Sequence, residues 1–342
     1  MKRTPRRRSK VLLKMKTQIA ICGYGTVGQG VRRVLTENRK EIEERCGFSP
    51  EIAYILDLRD FRGDPFEDRL VRDFTEIEND PDVAVVVETM GGLHPAFEFT
   101  ARALRAGKSV VTSNKAVVAE YGRELLSIAE ESGVLYLFEA SCGGGIPIIR
   151  PLRTSLCTER IDSISGILNG TTNYILTRMA EEMVPYEQAL AEAQAKGYAE
   201  KDPTADVEGY DACRKIAILG SIAFGTYIDY RTVPTEGITK ITVEDIWDAV
   251  RKGEKYRLIA EAKQTPEGIS VSVAPRRVSE SSPFYSVNGV FNAILVHGNM
   301  VGDVFFAGQG AGMDATGSAV SSDVLEALAY ANRNEIRSEK KC

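Results

Sequence analysis

Residues 17–30 read TQIAICGYGTVGQG, and they decide the fold of the first half of the chain. The apolar run TQIAIC predicts a short strand, and Gly23, Gly25 and Gly28 behind it satisfy the pattern G-x-G-x-x-G. A helical stretch follows, so the motif lies between a strand and a helix, the context that gives it meaning. The three glycines allow a tight turn, approach of a pyrophosphate to the backbone and close packing of the helix, whose N-terminus faces the phosphates. The stretch therefore predicts a dinucleotide-binding domain.

The second predicted strand, EIAYILD, ends at Asp57, where an acid would hydrogen-bond the adenosine ribose. Asp57 lies 29 residues after Gly28, against about 20 in the usual pattern. An extra helix and loop over ENRKEIEERCGFSP account for the excess. Arg59 and Arg62 follow closely and can pair with a 2′-phosphate, unless they belong to a solvated loop. Asp57 favours NAD and the arginines favour NADP, so the predicted cofactor is NAD(P).

Three further apolar runs alternate with helical stretches, at 83–89, 109–114 and 134–141. This alternation predicts right-handed βαβ units and a Rossmann-type parallel sheet. In such sheets ligands bind beyond the carboxyl ends of the strands, which favours a functional Lys115 over a chance surface lysine. The predicted cofactor-binding residues are Gly23, Gly25, Thr26, Val27, Gly28, Asp57, Arg59, Thr89, Gly91, Ser113, Asn114, Lys115 and Gly310.

The stretch SCGGGIPIIRPL (141–152) has three consecutive glycines followed by Pro147. Such a backbone can approach a ligand, or wrap a hard cation with carbonyl oxygens together with the Glu139 carboxylate. It can also be a hinge between domains, and the two interpretations are compatible. The segment GILNGTTNYIL that follows predicts a strand, a turn at Asn169-Gly170 and a helix. Thr171 and Thr172 would then lie at a helix N-terminus, either holding an anion or capping the helix.

The segment GYAEKDPTADVEGYDACRKIAILG (197–220) begins with acidic residues and turns into an apolar helical run. Asp211 and Lys215 stand four residues apart at the junction, which puts both side chains on one helix face. A loop rich in carboxylates that leads into such a pair can hold a small zwitterion and move a proton. The alternative is a solvated loop, a capped helix start and an ordinary ion pair.

Residues 230–310 alternate β-rich segments with turns, which predicts a second, α+β domain with a mixed sheet. This domain would serve catalysis and dimerisation. Glycines at 308–312 lead into an amphipathic helix that can return to the first domain. The predicted organisation is a basic leader at 1–16, a dinucleotide-binding domain at 17–148 joined by 311–335, and a substrate and oligomerisation domain at 149–310.

Composition narrows the class of protein. The net charge of the 342 residues is −5, but residues 1–16 hold eight basic side chains and no acids, so the remainder carries 35 basic and 48 acidic residues, or −13. A remainder with this excess of acidic residues does not predict a nucleic-acid partner. No apolar run reaches the roughly 18 residues of a membrane span. Six cysteines without a CxxC pair indicate a reduced, cytoplasmic protein.

Taken together, the motifs resemble homoserine dehydrogenases. GYGTVGQG, SNKA (113–116), FEASCGGGIPII (138–149), GILNGTTNYIL (166–176), GYAEKDPTADVEGYDACRK and the GAG at 310–312 occur in that family's order. The resemblance covers nearly the whole chain from about Met15 to Asn332. It implies a reversible NAD(P)H-dependent reduction of L-aspartate 4-semialdehyde to L-homoserine, and a homodimer or higher homo-oligomer.

The resemblance also implies residue roles. Lys215 would donate the proton to the carbonyl oxygen as hydride arrives, Asp211 would orient Lys215 and substrate, and Lys115 would act on the nicotinamide side. Glu200 would take the substrate ammonium, with Asp206, Thr171 and Gly170 completing the substrate site. The family's sodium site would correspond to Glu139, Cys142, Gly144 and Ile146.

The chain departs from the family pattern at three places. Lys201 replaces a common Pro beside Glu200, Cys142 replaces a more usual Val, and Asp314–Gly317 differ from the usual Pro-Thr-Ala near the cofactor. A related dehydrogenase of another small aldehyde or hydroxy acid, or a non-catalytic nucleotide-binding regulator, is the alternative. Nothing long enough for a regulatory domain follows residue 332, so feedback inhibition through one is not expected.

Overall fold

A computed structural model describes residues 15–339, so most of the predicted basic leader, residues 1–14, lies outside the described part of the chain. The strands are β1 Gln18–Cys22, β2 Glu51–Leu56, β3 Leu70–Val71, β4 Val83–Glu88, β5 Ser109–Thr112, β6 Tyr136–Leu137, β7 Ile161–Ile167, β8 Glu254–Thr265, β9 Gly268–Ser279, β10 Phe291–Gly298 and β11 Gly302–Gln309. The helices are α1 Thr26–Glu37, α2 Arg39–Cys46, α3 Phe74–Asn79, α4 Ala96–Arg105, α5 Lys115–Glu131, α6 Ala140–Gly143, α7 Ile149–Arg153, α8 Gly170–Glu182, α9 Tyr186–Ala195, α10 Thr204–Val207, α11 Tyr210–Phe224, α12 Val243–Arg251 and α13 Met313–Glu339.

The first sheet is parallel and has the strand order β3-β2-β1-β4-β5-β6. This is the order of a doubly wound dinucleotide-binding fold, and it confirms the predicted Rossmann-type domain. Strand β1 lies between β2 and β4, so the chain reverses its direction of winding beside the glycine motif. Every residue of β4 is buried, as expected of a strand covered on both faces. The switch point of the sheet therefore coincides with the predicted cofactor cleft.

The prediction of a strand over 134–141 was too long. Only Tyr136 and Leu137 pair with the sheet, and residues 140–143 form the short helix α6. Glu139 therefore lies in a turn between β6 and α6. The extra helix predicted before the second strand is present as α2, and it ends at Gly47 in a left-handed conformation.

The second sheet has the order β11-β10-β7-β8-β9, and each of its four pairings is antiparallel. The predicted strands of residues 230–310 are thus confirmed, but the prediction of a mixed sheet was wrong. Tight turns join β8 to β9 and β10 to β11, and strands joined so closely must run antiparallel. Strand β7, which no such turn joins to its neighbours, is also antiparallel to both β8 and β10. The one parallel pairing in the described part of this sheet is the isolated bridge between Thr235 and Val273.

Helix α13 packs against α1 and carries apolar residues into the core of the first domain. Val320, Val324 and Leu328 are fully buried in the same cluster as Ile19 and Ile21 of β1. None of the helices in the described residues is long and apolar enough to cross a membrane.

The crossing of α1 and α13 depends on glycine. A Cβ atom at Gly317 would lie 2.6 Å from the carbonyl carbon of Gly30, and one at Gly30 would overlap the backbone of Met313. The lack of a side chain at Gly317 thus permits the close approach of the two helix backbones.

We expect Gly317→Val to destabilise the fold by about 1–3 kcal/mol, because its side chain would push α13 away from α1. The control is Ser318→Ala, at an exposed neighbour on the same helix. Urea unfolding followed by circular dichroism measures both variants. Equal midpoints for Gly317→Val and the unsubstituted chain would contradict this account.

Candidate active site

The glycine motif forms an open cradle at the switch point of the first sheet. The Thr89 hydroxyl donates to the carbonyl oxygen of Gly23 at 2.7 Å, which ties the end of β4 to the first glycine. Gly28 packs so tightly that an added Cβ would overlap the carbonyl oxygen of Gly23, whereas a Cβ at Gly25 would meet only a guanidinium nitrogen of Arg59 at 3.8 Å. Gly25 also precedes α1 without a side-chain cap, so N–H groups of the first turn face the cradle unpaired. These features fit a dinucleotide pyrophosphate.

Asp57 is held by two groups at the end of β2. Its carboxylate accepts the backbone N–H of Tyr24 at 2.8 Å and a two-pronged contact from the Arg59 guanidinium, at 3.0 and 2.8 Å. Burial opposes the charged form, but the hydrogen bonds and charge of Arg59 lower the pKa of Asp57 to about 2. Asp57, which was expected to favour NAD, and Arg59, which was expected to favour NADP, thus form one ion pair.

Two lysines from different parts of the chain share one carboxylate. Lys115 begins α5, directly beyond β5, and its Nζ lies 2.7 Å from Oδ1 of Asp211. Lys215 lies one turn after Asp211 on α11, and its Nζ is 2.7 Å from Oδ2. The Nζ of Lys215 also donates to the carbonyl oxygen of Leu168 at 2.7 Å. The structure therefore brings together the three residues predicted to be catalytic.

Burial differs between the members of this cluster. The side chains of Asp211 and Lys215 are 4% and 10% exposed, whereas that of Lys115 is 41% exposed. Burial would lower the pKa of Lys115, but the charge of Asp211 outweighs it and raises that pKa. Burial would likewise raise the pKa of Asp211, but the charges of Lys215 and Lys115 hold it well below its usual range. The cluster thus carries two ammonium groups on one carboxylate.

Asn169 connects this cluster to the acidic loop. Its Nδ2 donates to Oδ1 of Asp206 at 2.7 Å and to Oδ2 of Asp211 at 2.9 Å, while its Oδ1 accepts the N–H of Thr172 and caps α8. The sequence placed Asn169 in a turn but gave it no role in the site. An Asn before a predicted helix N-terminus is a capping signal, but only the folded chain shows that its amide also bridges two acids.

The predicted substrate residues differ in their burial and in their contacts with the lysine cluster. Asp206 is half-buried, and burial together with the charge of Asp211 raises its pKa. Gly170 begins α8, and the Thr171 hydroxyl donates to the carbonyl oxygen of Tyr198 at 2.6 Å. Glu200 is exposed, and within residues 15–339 its carboxylate makes no hydrogen bond or ion pair. Asp206 is therefore the acid that contacts the cluster.

The predicted sodium residues form a turn packed against the 308–312 segment. The N–H of Gly145 donates to the carbonyl oxygen of Gln309 at 3.0 Å, and a Cβ at Gly144 would overlap that of Gly310. The Glu139 carboxylate accepts the N–H groups of Ile148, Ile149 and Arg150, at 2.5, 2.7 and 2.6 Å.

The Glu139 carboxylate thus accepts three backbone N–H groups at the N-terminus of α7. The sodium site at this glycine-rich turn stays a prediction. The described residues contain no group of three or more His, Cys, Asp or Glu side chains suited to a metal. Burial raises the pKa of the Cys142 thiol to about 12, and its sulfur packs 3.8 Å from the carbonyl oxygen of Lys215.

Of the remaining predicted cofactor residues, Thr26 and Val27 begin α1 and Gly310 follows β11, whereas Gly91, Ser113 and Asn114 follow β4 and β5. Gly91 is exposed and Ser113 half-buried, whereas Asn114 is buried and donates to the carbonyl oxygen of Gly92 at 2.8 Å. These last three residues therefore lie beyond the carboxyl ends of neighbouring parallel strands, and Lys115 follows directly after Asn114. A dinucleotide site that leads to two lysines on a buried carboxylate defines a nicotinamide-dependent dehydrogenase, an oxidoreductase that transfers hydride to or from a carbonyl carbon.

Comparisons with known proteins give the particular family. Residues 23–139 match the family described as the NAD binding domain of homoserine dehydrogenase, and residues 147–325 match the family described as homoserine dehydrogenase. A homoserine dehydrogenase of Pseudomonas aeruginosa is 41% identical over 312 residues, which cover 91% of this chain and 72% of that protein. The chain belongs to the homoserine dehydrogenase family and is an NAD(P)-dependent oxidoreductase that interconverts L-homoserine and L-aspartate 4-semialdehyde.

Solved structures agree with this assignment. A homoserine dehydrogenase from Thiobacillus denitrificans superposes with a TM-score of 0.87 at 39% identity, covering 91% of this chain and 73% of that one. A hyperthermophilic archaeal homoserine dehydrogenase in complex with NADPH gives a TM-score of 0.77 at 29% identity, covering 92% and 98%.

We expect Asp211→Asn to destabilise the fold by about 3–5 kcal/mol, because two ammonium groups would lose their shared counter-charge. The folded pKa of Asp211 is depressed, so its contribution is complete above the unfolded value near 4 and is lost only as pH falls through the folded pKa. The difference in unfolding free energy should therefore be constant from about pH 5 to 8. Urea unfolding at several pH values measures it, with exposed Glu267→Gln as the control. A difference that shrinks towards pH 5 would contradict the assignment.

Proposed function

We propose that Lys215 is the proton donor when the aldehyde is reduced. Its Nζ is fixed by two acceptors, Asp211 and the carbonyl oxygen of Leu168, both at 2.7 Å. Two fixed partners leave one N–H of the ammonium for a substrate oxygen. A donor held in this way is placed to protonate the alkoxide that hydride transfer produces. In the reverse direction the neutral amine accepts the hydroxyl proton of homoserine.

Lys115 supplies charge at the same reacting oxygen. It is the more exposed of the two lysines and begins the helix that follows the cofactor rim, so it lies on the nicotinamide side of Asp211. Burial opposes the charged form, but the charge of Asp211 raises the pKa of Lys115 and so favours its ammonium form. A fixed positive charge beside a developing alkoxide lowers the barrier, and this charge also confines Asp211 to its bridging position.

The amino-acid end of the substrate binds on the other side of Asn169. The N-terminus of α8 at Gly170 and Thr171 suits the substrate carboxylate, because free N–H groups and the helix dipole favour an anion. Asp206 and Glu200 take the ammonium. Asp206 is supported by its contact with Asn169, and Glu200 only by the family resemblance. The KM for homoserine in Asp206→Asn and Glu200→Gln tests the two acids separately.

The cofactor is NADP(H) in preference to NAD(H). The cradle fits either dinucleotide, which when bound supplies the hydride donor or acceptor. The preference is supported by the Arg59 guanidinium, which neutralises Asp57 and stays 62% exposed at the position expected of a 2′-phosphate. An NADPH complex of a relative agrees with this.

Three further features complete the proposal. The protein is a homodimer joined through its antiparallel sheet, whose strands expose Ile269, Phe291 and Phe305; sedimentation velocity tests this. It is cytoplasmic, in agreement with the five described cysteines, which are all free thiols.

A sodium ion at the glycine-rich turn would use backbone carbonyl oxygens of residues 139–146, because the Glu139 carboxylate already accepts three backbone N–H groups. Replacing sodium by choline in the assay tests this.

We expect Lys215→Ala to lower kcat by about 10²–10⁴-fold, the usual contribution of a general acid. Cofactor affinity should not change, because Lys215 lies beyond the nicotinamide rim. Steady-state oxidation of homoserine and fluorescence titration with reduced cofactor measure the two quantities. Lys240→Ala, at an exposed lysine, is the control. Full turnover in Lys215→Ala would remove the assigned role.

We expect Arg59→Ala to weaken NADP⁺ about tenfold, the loss of one charge-assisted contact, while NAD⁺ is little affected. The unpaired Asp57 would then repel a 2′-phosphate and still accept the ribose hydroxyls. The ratio of kcat/KM with the two cofactors measures the shift, and Arg105→Ala, at an exposed arginine at the end of α4, is the control. An unchanged ratio would place the 2′-phosphate elsewhere.

A further inference from the structure

A carboxyl group stands at the end of a strand that is otherwise apolar. Glu88 is the last residue of β4, whose other residues are alanine and valine, and it is only 1% exposed. In the described part of the chain it forms no ion pair with a basic side chain. Burying such a group is costly unless hydrogen bonds satisfy it, so its contacts are informative.

Those contacts lead to two loops of the site. One oxygen of Glu88 accepts the backbone N–H of Met90 at 2.8 Å, within the loop that carries Gly91. The other accepts the hydroxyl of Thr112 at 2.6 Å, at the end of the neighbouring strand β5. Both oxygens therefore face the carboxyl ends of strands, where the cofactor cleft lies.

The chain of hydrogen bonds continues to the first turn of α5. The Thr112 hydroxyl oxygen accepts the N–H of Asn114 at 2.8 Å. The Asn114 amide donates to the carbonyl oxygen of Gly92, and its oxygen accepts the N–H of Val117, which caps α5. The first residue of that helix is Lys115. A continuous path thus joins the Glu88 carboxyl to both the rim loop and the catalytic helix.

We propose that Glu88 is a positioning residue that locks the 89–92 loop to the N-terminus of α5 and thereby sets the place of Lys115 against the nicotinamide. This inference rests on the proposed role of Lys115. Glu88 makes no contact with Lys115 itself and acts through Thr112 and Asn114. Without its acceptors, the N–H of Met90 and the hydroxyl of Thr112 would lose their buried partners, and the two loops would move independently.

Glutamine, the uncharged side chain of the same shape, should be able to take the place of the Glu88 carboxyl group. Burial raises the pKa of Glu88 to about 7, and the side-chain contacts described above are hydrogen bonds that an uncharged group can also make. Glutamine can present its oxygen to the N–H of Met90 and donate from its amide to the Thr112 hydroxyl oxygen, which also accepts from Asn114. The Thr112 hydroxyl proton, which donates to Glu88 in the unsubstituted chain, must then turn to another acceptor. Leucine has a similar size but offers no hydrogen bond.

The test compares Glu88→Gln with Glu88→Leu, and Thr112→Ser with Thr112→Val. We expect kcat to fall about tenfold or more in Glu88→Leu and Thr112→Val, because the loss of one or two buried hydrogen bonds would let Lys115 move from the position that stabilises the transition state. Glu88→Gln and Thr112→Ser should stay within a few fold of the unsubstituted enzyme. Thermal unfolding checks that each variant is folded. If Glu88→Leu does not fold, Thr112→Val still tests the proposal.

A double-mutant comparison with Lys115→Ala separates positioning from structural support. If Glu88 acts through Lys115, Thr112→Val should cause little further loss of kcat once Lys115 is removed, because coupled residues are not additive. Full activity of Lys115→Ala alone would overturn the proposed function. Two outcomes would overturn only the role of Glu88. One is an impaired Lys115→Ala together with a folded and fully active Glu88→Leu or Thr112→Val. The other is that the losses of kcat in Thr112→Val and Lys115→Ala add in the double variant.

Discussion

The buried carboxylate of Asp211 is the group on which the site depends. It neutralises Lys115, at the end of a strand of the parallel sheet, and Lys215, on a helix of the second half of the chain. A buried charge is tolerated only when it is paired and hydrogen-bonded, so this carboxylate fixes the separation of the two lysines and of the elements that carry them. One ion-paired cluster therefore sets how the start of α5 and the helix α11 are placed against each other.

Hydrogen-bonding side chains extend this cluster into both halves of the molecule. Asn169 joins Asp211 to Asp206 and at the same time caps α8, so the acidic segment around Asp206 and the N-terminus of α8 are placed by one amide. On the cofactor side Thr112 and Asn114 connect the ends of β4 and β5 to the start of α5. Such groups orient the residues that touch the ligands, and a site depends on them for its precision.

The fold supports the cluster through two close backbone approaches. Gly28 lies against the turn at Gly23, and Gly317 lies against Gly30, so α1 is fixed between the sheet and α13. The last helix therefore completes the core of the first domain, although the whole second sheet separates them along the chain. This packing holds the cradle and, through α13, the segment around Gly310 in one unit.

The sequence by itself determined the elements whose signals are local. The strand, glycine motif and helix at 17–30, the buried β-branched strand of β4 and the pair Asp211 and Lys215 follow from periodicity and turn chemistry. Only the tertiary structure decided that Lys115 meets Asp211, that the Asn169 amide bridges two acids, that the Glu139 carboxylate turns to α7, and that the second sheet is antiparallel. The physical reason is that side-chain periodicity depends on neighbours in the chain. The partner of a buried charge, in contrast, depends on which distant elements packing brings within about 3 Å of it.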